Sequence, residues 1–410
     1  MKHSWEKTRL ADLCTIKGRI GYRGYTKQDL VQKGQGAITL SPSNIKGDRL
    51  IFDKCTYISW VKYDESPEIM IYEGDIIYCK TASVGKMALV EYLPEKATLN
   101  PQFVVLKNLK CSNKFLYYYM ISQEFRRQAK NITGGTAVPT LSQKNLGNLS
   151  VPVPPLPEQK YIVAKLDETF EAIDKAKANV EQNLQNAKDL FQSKLNEIFS
   201  QKGEGWVEKE LGDVCYVLNG YAFKSADTVE DSNTQLLRMG NLYKNKLDLN
   251  RKPVFYPENF SREYEDYVLE PLDLVMSLTG TVGKRDYGFT VEIPETPLKL
   301  LLNQRIMKIS IRDTTQLVKS YLHNYLLSPM FLDELYATAN GTRQANLSSR
   351  TILTLTITFP KDIGEQKSIV NRLTTIKNDS HSLQSNYIRE IEAFDELKKS
   401  ILHKAFNGEL

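Results

Sequence analysis

The stretch PVPPLPEQK, residues 152–160, opens the longest helical pattern in this chain of 410 residues. Proline is excluded from a helix interior but suits the first turn, so we expect the helix to begin near Glu158. No glycine or proline follows until Gly203, and apolar residues recur every seven positions, as in a helix that packs on another helix. At 1.5 Å per residue the pattern predicts a rod about 60 Å long. The two rows of the predicted seam are Leu166, Ile173, Val180 and Ala187, and Phe170, Leu184, Phe191 and Ile198.

A second copy of this pattern begins at residues 362–367, DIGEQK, which repeat the Glu-Gln-Lys of residues 158–160. The proline-rich entry is absent here, and Asp362 is expected to cap the helix instead. Two apolar rods in one chain most simply pack on each other, antiparallel; the alternative is pairing with a second molecule. The predicted seam of the second rod is Ile369, Leu373, Ile376, Leu383, Tyr387, Phe394, Leu397 and Ile401.

Composition excludes several classes of protein. The length allows two or three domains, and 22 Tyr with 15 Phe argue against a disordered chain. The net charge of +5, from 54 basic and 49 acidic residues, is compatible with nucleic-acid binding through local patches. Five scattered cysteines without a C-x-x-C pair argue for a reducing cytoplasm and against a zinc site. We find no signal peptide and no apolar run of membrane-spanning length, so we expect a soluble, cytoplasmic protein.

The repeat extends beyond the rods, so each half is expected to be a common frame that carries private loops. Residues 19–62 and 222–265 diverge most. We predict an α+β fold in which two pseudo-two-fold-related globular domains are joined by two long antiparallel coiled-coil-like helices. The predicted boundaries are 1–152 and 203–359 for the globular domains, and 153–202 and 360–410 for the helical spacers. Four single residues match between the halves: Trp5 with Trp206, Leu10 with Leu211, Asp12 with Asp213 and Cys14 with Cys215. Three longer segments also match: 74–77 with 272–275, 84–86 with 282–284, and 141–142 with 347–348.

A loop rich in glycine and hydroxyl residues occurs at the same place in each half, KTASVGK at 80–86 and TGTVGKR at 279–285. Small residues let backbone N–H groups approach an anion, and lysine adds positive charge. The P-loop spacing G-x-x-x-x-G-K-[ST] is absent from both copies. We interpret the loops as contacts to DNA phosphates; the alternative is a tight hairpin whose lysine is solvated. The candidate DNA-binding residues are Lys80, Thr81, Ser83, Lys86, Thr279, Thr281, Lys284 and Arg285.

A second loop, residues 133–138 and 340–344, carries different side chains at equivalent positions. One half has Ala137 and Val138, whereas the other has arginine and glutamine. Arginine suits guanine and glutamine suits adenine in the major groove, so this difference is what reading two different sequences requires. The alternative is a surface loop without a function. The candidate DNA-binding residues here are Thr133, Thr136, Thr342, Arg343 and Gln344.

Two motifs are similar to catalytic ones but lack their context. Residues 100–103, NPQF, are similar to the N-P-P-F of adenine-N6 methyltransferases, but the other half reads NQRI at 303–306 and no glycine-rich cofactor turn precedes either copy. We therefore predict a structural turn. The Glu-Gln-Lys of residues 158–160 is similar to the E-x-K of metal-dependent nucleases, but it opens a helix, where glutamate complements the dipole. The four histidines are dispersed, so no catalytic triad and no metal cluster is expected.

Together these features resemble the specificity (S) subunit of Type I restriction–modification enzymes, over essentially the whole chain. The residues that carry the resemblance are the internal repeat, PLPEQK at 155–160, FNGEL at 406–410, TGTVGK at 279–284 and the G-T-x-x-x-x-L-S segments at 135–142 and 341–348. The resemblance implies two target-recognition domains, each reading one half of a split, asymmetric site in double-stranded DNA. It also implies that the helical spacers act as a ruler and as docking surfaces for two methyltransferase (M) subunits.

The resemblance further implies a hetero-oligomeric cytoplasmic complex in which this chain is not catalytic and holds no metal or cofactor. S-adenosylmethionine would be on the M subunits, which methylate adenine N6, and ATP with Mg on restriction (R) subunits where these are present. No membrane is involved. Base-reading residues vary within this family, so the loop residues above depend only on their local chemistry.

Two other functions remain alternatives. The first is a self-contained DNA methyltransferase or nuclease, against which the missing cofactor turn and metal cluster count. The second is a coiled-coil adaptor that binds no nucleic acid, which does not explain divergent loops on a repeated frame.

Overall fold

The computed structural model describes residues 5–135, 138–201, 203–339, 341 and 344–409. The chain divides into two compact units. The first contains the residues up to Glu181 and those from Arg389 onward, and the second is Gln182–Ile388. Both boundaries lie inside the long helices, so each unit contains part of both helices.

The first unit contains most of the elements of the first half of the chain. Its strands are β1 (Glu6–Arg9), β2 (Thr15–Gly18), β3 (Leu30–Val31), β4 (Gly36–Leu40), β5 (Ile45–Lys46), β6 (Arg49–Leu50), β7 (Thr56–Ser59), β8 (Ile76–Cys79), β9 (Met87–Leu89), β10 (Ala97–Leu99), β11 (Phe103–Lys107) and β12 (Ser150–Val153). Its helices are α1 (Leu10–Leu13), α2 (Trp60–Asp64), α3 (Asn113–Ile121), α4 (Gln123–Asn131), α5 (Gln143–Gly147) and the first part of α6 (Leu156–Ser200). Its 3-10 turns are Gly21–Arg23, Lys27–Asp29, Pro42–Asn44 and Pro67–Ile69.

The second unit repeats this order. Its strands are β13 (Trp206–Glu210), β14 (Cys215–Asn219), β15 (Thr234–Leu237), β16 (Phe255–Tyr256), β17 (Val268–Leu269), β18 (Leu274–Ser277), β19 (Thr279–Thr281), β20 (Thr290–Glu292), β21 (Lys299–Leu302), β22 (Ile306–Ile311), β23 (Gln344–Asn346) and β24 (Thr356–Pro360). Its helices are α7 (Leu211–Val214), α8 (Phe260–Glu263), α9 (Lys319–Leu326), α10 (Pro329–Ala337), α11 (Ser349–Leu353) and the first part of α12 (Ile363–Phe406). Its 3-10 turns are Ser225–Asp227, Met239–Asn245 and Glu265–Tyr267.

A four-stranded antiparallel sheet lies at the centre of each unit, with the order β2-β11-β8-β9 in the first and β14-β22-β18-β20 in the second. In the first unit its middle strands are almost entirely apolar because both of their faces are buried. Along β8, Ile76 and Tyr78 face one core while Ile77 and Cys79 face another. This alternation follows from the two-residue period of a strand.

A second sheet lies in the part of each half where the sequences diverge. Its order is β10-β4-β7-β3 in the first unit and β16-β15-β21-β17 in the second, and each contains one parallel pair, β4 with β10 and β15 with β21. We expected residues 19–62 and 222–265 to be private loops. That expectation was wrong for the strands, although the fourth strand lies at opposite edges of the two sheets, β3 beside β7 in the first unit and β17 beside β21 in the second.

A matched turn leads into those differing segments. The side-chain oxygen of Asn44 accepts a hydrogen bond from the backbone of Ser41 at 2.9 Å, and that of Asn241 accepts one from Arg238 at 2.8 Å. Both asparagines are buried. Their amide nitrogens donate to carbonyls seven and ten residues further on, Ile51 and Lys54 in the first unit and Asp248 and Arg251 in the second. The frame of the repeat therefore continues through sequence that shows no obvious similarity.

The start of each long helix is fastened to its own globular domain by the same side chains. The indole of Trp5 donates to Glu158 at 3.3 Å, and that of Trp206 donates to Glu365 at 2.9 Å. Asp362 caps the second helix as expected, since its carboxylate accepts hydrogen bonds from the backbone N–H groups of residues 364 and 365. The first helix begins at Leu156, two residues earlier than the proline rule predicts.

The end of each long helix packs on the globular domain from which the other long helix starts. In the second unit Phe199, near the end of α6, stacks edge-on against Tyr321 and Tyr325 of α9. In the first unit Phe406, the last residue of α12, makes the same kind of contact with Phe115 and Tyr119 of α3. Each domain therefore holds the start of one long helix and the end of the other.

Within each unit the helices pair antiparallel, which confirms the intrachain pairing. In the first unit Lys177 binds Asp395 at 2.6 Å, and Asp174 binds Lys398. In the second unit the Ser380 hydroxyl donates to the carbonyl of Ala187 at 2.6 Å. The apolar row of α6 that begins at Leu166 is buried as predicted.

The predicted seam of α12 was partly wrong. Leu383 and Leu397 are 38% and 45% exposed, whereas Ser380 is buried. A straight helix advances 3.6 residues per turn, so a row repeated every seven residues drifts by about 20° per heptad. The row that begins at Ile369 has therefore drifted outward at Leu383 and further at Leu397, whereas the row through Leu373 stays inside and contains the polar Ser380.

Candidate nucleic-acid interface

In both units the two candidate loops meet. In the first unit the backbone N–H of Ala82 donates to Pro139 at 2.9 Å, and that of Leu141 donates to Lys80 at 2.8 Å. In the second unit the contact is a regular antiparallel ribbon of β19 and β23, in which Thr281 lies opposite Gln344. The loops predicted separately from the sequence therefore form one surface in each unit.

A third segment joins them, the 3-10 turn that contains the buried asparagine. The ammonium group of Lys86 donates to the carbonyl of Pro42 at 3.4 Å, and the hydroxyl of Thr279 donates to the sulfur of Met239 at 3.0 Å. We call these three segments the recognition surface. It consists of residues 41–44, 80–86 and the described part of 133–141 in the first unit, and of residues 238–241, 279–285 and the described part of 341–347 in the second.

One glycine in each unit sets the shape of the second loop. Gly135 has φ +102° and Gly341 has φ +130°, a region that other residues rarely adopt. A Cβ atom would lie 2.2 Å from the carbonyl oxygen of Val138 in the first case and 2.0 Å from that of Gln344 in the second. Both loops therefore require glycine at this position, which explains the repeated Gly-Thr of the sequence.

The predicted residues differ in how accessible their side chains are. Five are exposed, namely Lys86, Thr281, Lys284, Arg285 and Gln344, and four are half-buried, namely Lys80, Thr81, Ser83 and Thr133. Thr279 is buried, so its side chain supports the loop from beneath rather than facing a ligand. Thr136, Thr342 and Arg343 lie outside the described residues, as does Ala137.

Thr133 and Arg285 also have partners within the chain. The hydroxyl of Thr133 donates to the carbonyl of Ala129 at 2.8 Å, which closes the last turn of α4. Arg285 forms an ion pair with Asp333 at 2.7 Å, and its guanidinium lies 5.0 Å from the centre of the Tyr336 ring. The two contacts hold the guanidinium at a fixed place on the edge of the surface.

The backbone N–H groups of the first loop are largely engaged within the loop itself. Those of Gly85 and Lys86 donate to Cys79 and Ser83, and that of Thr281 donates to the carboxylate of Asp286 at 2.7 Å. This backbone hydrogen bond lowers the pKa of Asp286 below its ordinary value, so the carboxylate is charged. The loops are tight hairpins, so the positive groups that they leave accessible are side chains such as Lys284.

Sequence reasoning missed a further pair of residues. The turn at Asn303 exposes Gln304 and Arg305, and the carbonyl of Arg305 accepts a hydrogen bond from Leu278 at 2.9 Å, directly before β19. The turns at Asn100 and Asn303 are structural, as predicted, because each asparagine side chain accepts a hydrogen bond from the backbone two residues further on. The sequence could have identified this pair, because residues 101–102 and 304–305 occupy matching positions in the two halves but carry different side chains. The second loop was chosen as a candidate for the same reason.

A cleft of about 1080 Å³ lies in the first unit between the β5–β6 hairpin, α3, α4 and the paired helices. Ion pairs cross it, among them Arg49 with Asp174 at 2.8 Å and Arg126 with Asp48 at 2.6 Å. Because these opposite charges pair with each other, the residues around the cleft connect the domain to its helices through ion pairs. Among the described residues there is no group of three or more His, Cys, Asp or Glu side chains that could hold a metal ion. No helix in the described part of the chain is long and apolar enough to cross a membrane.

Comparison with known proteins extends these observations. The Type I restriction enzyme MjaVIII specificity subunit of Methanocaldococcus jannaschii is 26% identical over 364 residues, which cover 84% of this chain and 80% of that protein. The EcoKI specificity subunit of Escherichia coli K12 is 24% identical over 345 residues, covering 80% and 72%.

Two solved structures have the same fold. A chain from a study of complex assembly and conformational transition in the type I R-M system aligns with a TM-score of 0.71 and 20% identity, over 100% of this chain and 99% of that one. The HsdS subunit from Thermoanaerobacter tengcongensis aligns with a TM-score of 0.59 and 20% identity, over 100% and 98%. Residues 2–185 and 203–393 each match the sequence profile of the Type I restriction modification DNA specificity domain. Since the two matches cover nearly all of the repeat, the chain belongs to the Type I restriction–modification DNA specificity family.

Proposed function

We propose that this chain is the DNA sequence-specificity subunit of a Type I restriction–modification complex, and that each recognition surface reads one half of a bipartite, asymmetric DNA site. The observation that carries the proposal is the repeated recognition surface with different side chains on one frame. At the matched position after the repeated glycine, the first unit exposes Val138 and the second exposes Gln344. An exposed glutamine can bond adenine in the major groove, whereas valine offers only apolar contact.

The chain is proposed to recognise DNA and to leave the chemistry to its partners. S-adenosylmethionine would bind to two methyltransferase subunits, and ATP with Mg to restriction subunits where these are present. Docking of the methyltransferase subunits on the helices is supported by apolar side chains that face away from the seam, Leu397 in the first unit and Leu383 and Ile388 in the second. Since single exposed apolar residues also occur on surfaces that bind nothing, the substitution at Leu397 described below decides whether these residues mark the contact.

The recognition proposal is tested by Gln344→Ala in the complex with methyltransferase subunits, with methylated adenines mapped by sequencing. We expect discrimination to relax in one half-site only, by about 1–3 kcal/mol at one base pair. Arg343→Ala is expected to act on the same half-site. The matched control is Gln185→Ala, an exposed glutamine on α6 that bonds only Asp189. An unchanged methylation pattern in both half-sites would mean that this loop has no part in reading.

The docking proposal is tested by Leu397→Glu, which places a charge on the outer face of α12. We expect less methyltransferase subunit to co-purify with the variant, because the charge would be desolvated in the interface. Ser400→Glu, a neighbouring exposed position, is the control for the added charge. Equal co-purification of both variants with the partner would place the interface elsewhere.

The alternative function, a self-contained methyltransferase, is tested separately. Calorimetric titration of the isolated chain with S-adenosylmethionine is expected to show no binding, because the sequence lacks a glycine-rich cofactor turn. One-to-one binding to the chain alone would favour the enzyme alternative.

A further inference from the structure

The two segments that follow the buried asparagines occupy the same place in the fold but have different charge. We call residues 45–55 the first private loop and residues 242–252 the second private loop. Asn44 and Asn241 bond each loop at the same two points, seven and ten residues further on. The first loop contains three basic and two acidic residues, whereas the second contains four basic residues and only Asp248 as an acid.

The first private loop has two charged side chains that form ion pairs within the chain. Asp48 binds Arg126 of α4 at 2.6 Å, and Arg49 binds Asp174 of α6 at 2.8 Å. The hydroxyl of Tyr117 also donates to the carbonyl of Asp48 at 2.7 Å. Asp48 and Arg49 at the tip of this loop are therefore paired with the helices of the first unit, whereas Lys46 and Lys54 are exposed.

The second private loop keeps its charges in solvent. Its basic residues are all exposed, and within the described part of the second unit the ion pairs involve Arg285, Lys308 and Lys194 but none of the loop. The carboxylate of Asp248 accepts a hydrogen bond from the backbone of Asn250 at 3.1 Å. The basic side chains of the loop are Lys244, Lys246, Arg251 and Lys252.

The shape of the second private loop is nevertheless well defined. Tyr243 has the ammonium of Lys244 at 5.5 Å and the guanidinium of Arg251 at 4.9 Å from its ring centre. The side chain of Asn245 accepts a hydrogen bond from the backbone of Thr290 at 2.8 Å, next to the central sheet. Because the loop leaves the turn that contains Met239, its charges begin at the recognition surface. A fixed cluster of positive charge beside a DNA-reading surface is suited to phosphates.

We infer that the second private loop binds the phosphate backbone of the DNA half-site read by the second unit, and that the first private loop, whose Arg49 is paired within the chain, binds fewer phosphates of its half-site. The inference rests on the proposed function. Each phosphate neutralised by a basic side chain releases counterions and contributes about 0.9 to the slope of log K against log salt concentration. The two units therefore contribute unequally to affinity, while both contribute to sequence choice.

The test compares two triple variants of the full chain in complex with its methyltransferase subunits. The second-loop variant is Lys244→Asn, Lys246→Gln and Arg251→Gln; asparagine is chosen because residue 244 has φ +56°. The matched first-loop variant is Lys46→Gln, Arg49→Gln and Lys54→Gln, which removes the same number of charges. The affinity of each complex is measured at several salt concentrations for two duplexes. One contains the sequence that the complex methylates, and the other lacks it.

For the second-loop variant we expect the salt slope to fall by about 2–3, equal weakening on both duplexes and an unchanged methylation sequence. For the first-loop variant we expect a smaller fall than in the second-loop variant, because Arg49 is already paired with Asp174. An unchanged slope in the second-loop variant, or equal losses in the two variants, would overturn the inference. If Arg49→Gln prevents folding, Lys46→Gln with Lys54→Gln is compared with the second-loop variant instead. Failure of the wild-type complex to prefer its methylated site would count against the proposed function rather than against the loop.

Discussion

At the scale of single residues, two buried glutamines explain why Glu-Gln-Lys is repeated. The amide of Gln159 donates to the carbonyl of Pro154 at 2.8 Å and accepts from the backbone of Ser112 at 2.9 Å. Gln366 makes the equivalent bonds to Pro360 and Val318, both at 2.8 Å. Each glutamine thus links the first turn of a long helix to the end of the preceding strand, β12 or β24. It also links that turn to the segment before α3 or α9. Sequence analysis used the glutamate beside it and passed over the glutamine, because periodicity does not reveal a buried amide.

Gln366→Ala is expected to destabilise the chain by about 1–3 kcal/mol, because it leaves buried backbone groups without partners. Unfolding in urea, monitored by circular dichroism, measures the loss. Gln185→Ala removes an exposed glutamine and should change stability by less than about 0.5 kcal/mol. Equal stabilities of the two variants would show that water replaces the lost bonds.

Gly341→Ala is expected to disturb recognition in one half-site, because the new methyl group would lie 2.0 Å from the carbonyl oxygen of Gln344. The matched control is Gly283→Ala, which has φ +75° but open space around the Cβ position and so adds only the backbone strain, about 1–2 kcal/mol. Methylation mapping should show relaxed discrimination for the first variant and not for the second. The same pattern in both would mean that strain in the first loop, rather than the shape of the second, controls reading.

At the scale of elements, the sequence was most informative where a pattern is local. The first long helix, its cap-like entry and its inner apolar row follow from spacing and from proline and glycine alone. The second sheet of each unit did not, because its strands are short and pair with residues far away along the chain. The seam of α12 failed for another reason: Ser380 lies inside and Leu383 outside. A hydrophobic pattern cannot identify a seam that contains hydrogen-bonded polar residues.

Lengthening both long helices is expected to lengthen the unread part of the DNA site. Four residues added to each helix give about 6 Å, close to two base pairs at about 3.4 Å each, and shift both seams equally. Because Lys177 pairs with Asp395 and Ala187 with Ser380, insertions after Glu181 and after Ile388 preserve the pairing on either side.

Methylation mapping of the double insertion should show unchanged half-sites and a longer spacer. An insertion in α6 alone is the control and should lower the melting temperature, since it puts one seam out of register. An unchanged spacer in an active double-insertion complex would mean that the methyltransferase subunits, not the helices, set the distance.

At the scale of the whole molecule, each domain needs the end of a helix that starts in the other half of the sequence. A chain that stops near residue 202 contains α3 but lacks Phe406, which packs on Phe115 in the full protein. Phe199 of a second copy can fill that place, because it packs on the matching aromatic residues of α9 in the second unit. We expect the truncated chain to form a symmetric dimer that reads a palindrome of one half-site.

Light scattering measures the mass of this truncated chain. Phe199→Ala in the same chain should shift it toward the monomer, because the exchanged contact is lost. A stable monomer without that substitution would contradict the pairing of helix ends.

The matched helix ends also make the order of the two halves interchangeable, so the protein should tolerate circular permutation. In the second unit six residues, 200–205, connect Phe199 to Trp206. In the first unit Phe406 and Trp5 occupy the matching positions in one apolar cluster. Joining Leu410 to Met1 would place eight residues between them, more than the second unit needs. A chain joined there and opened between Gly203 and Glu204 should methylate the same site, and loss of the site in a folded permutant would show that chain order matters to assembly.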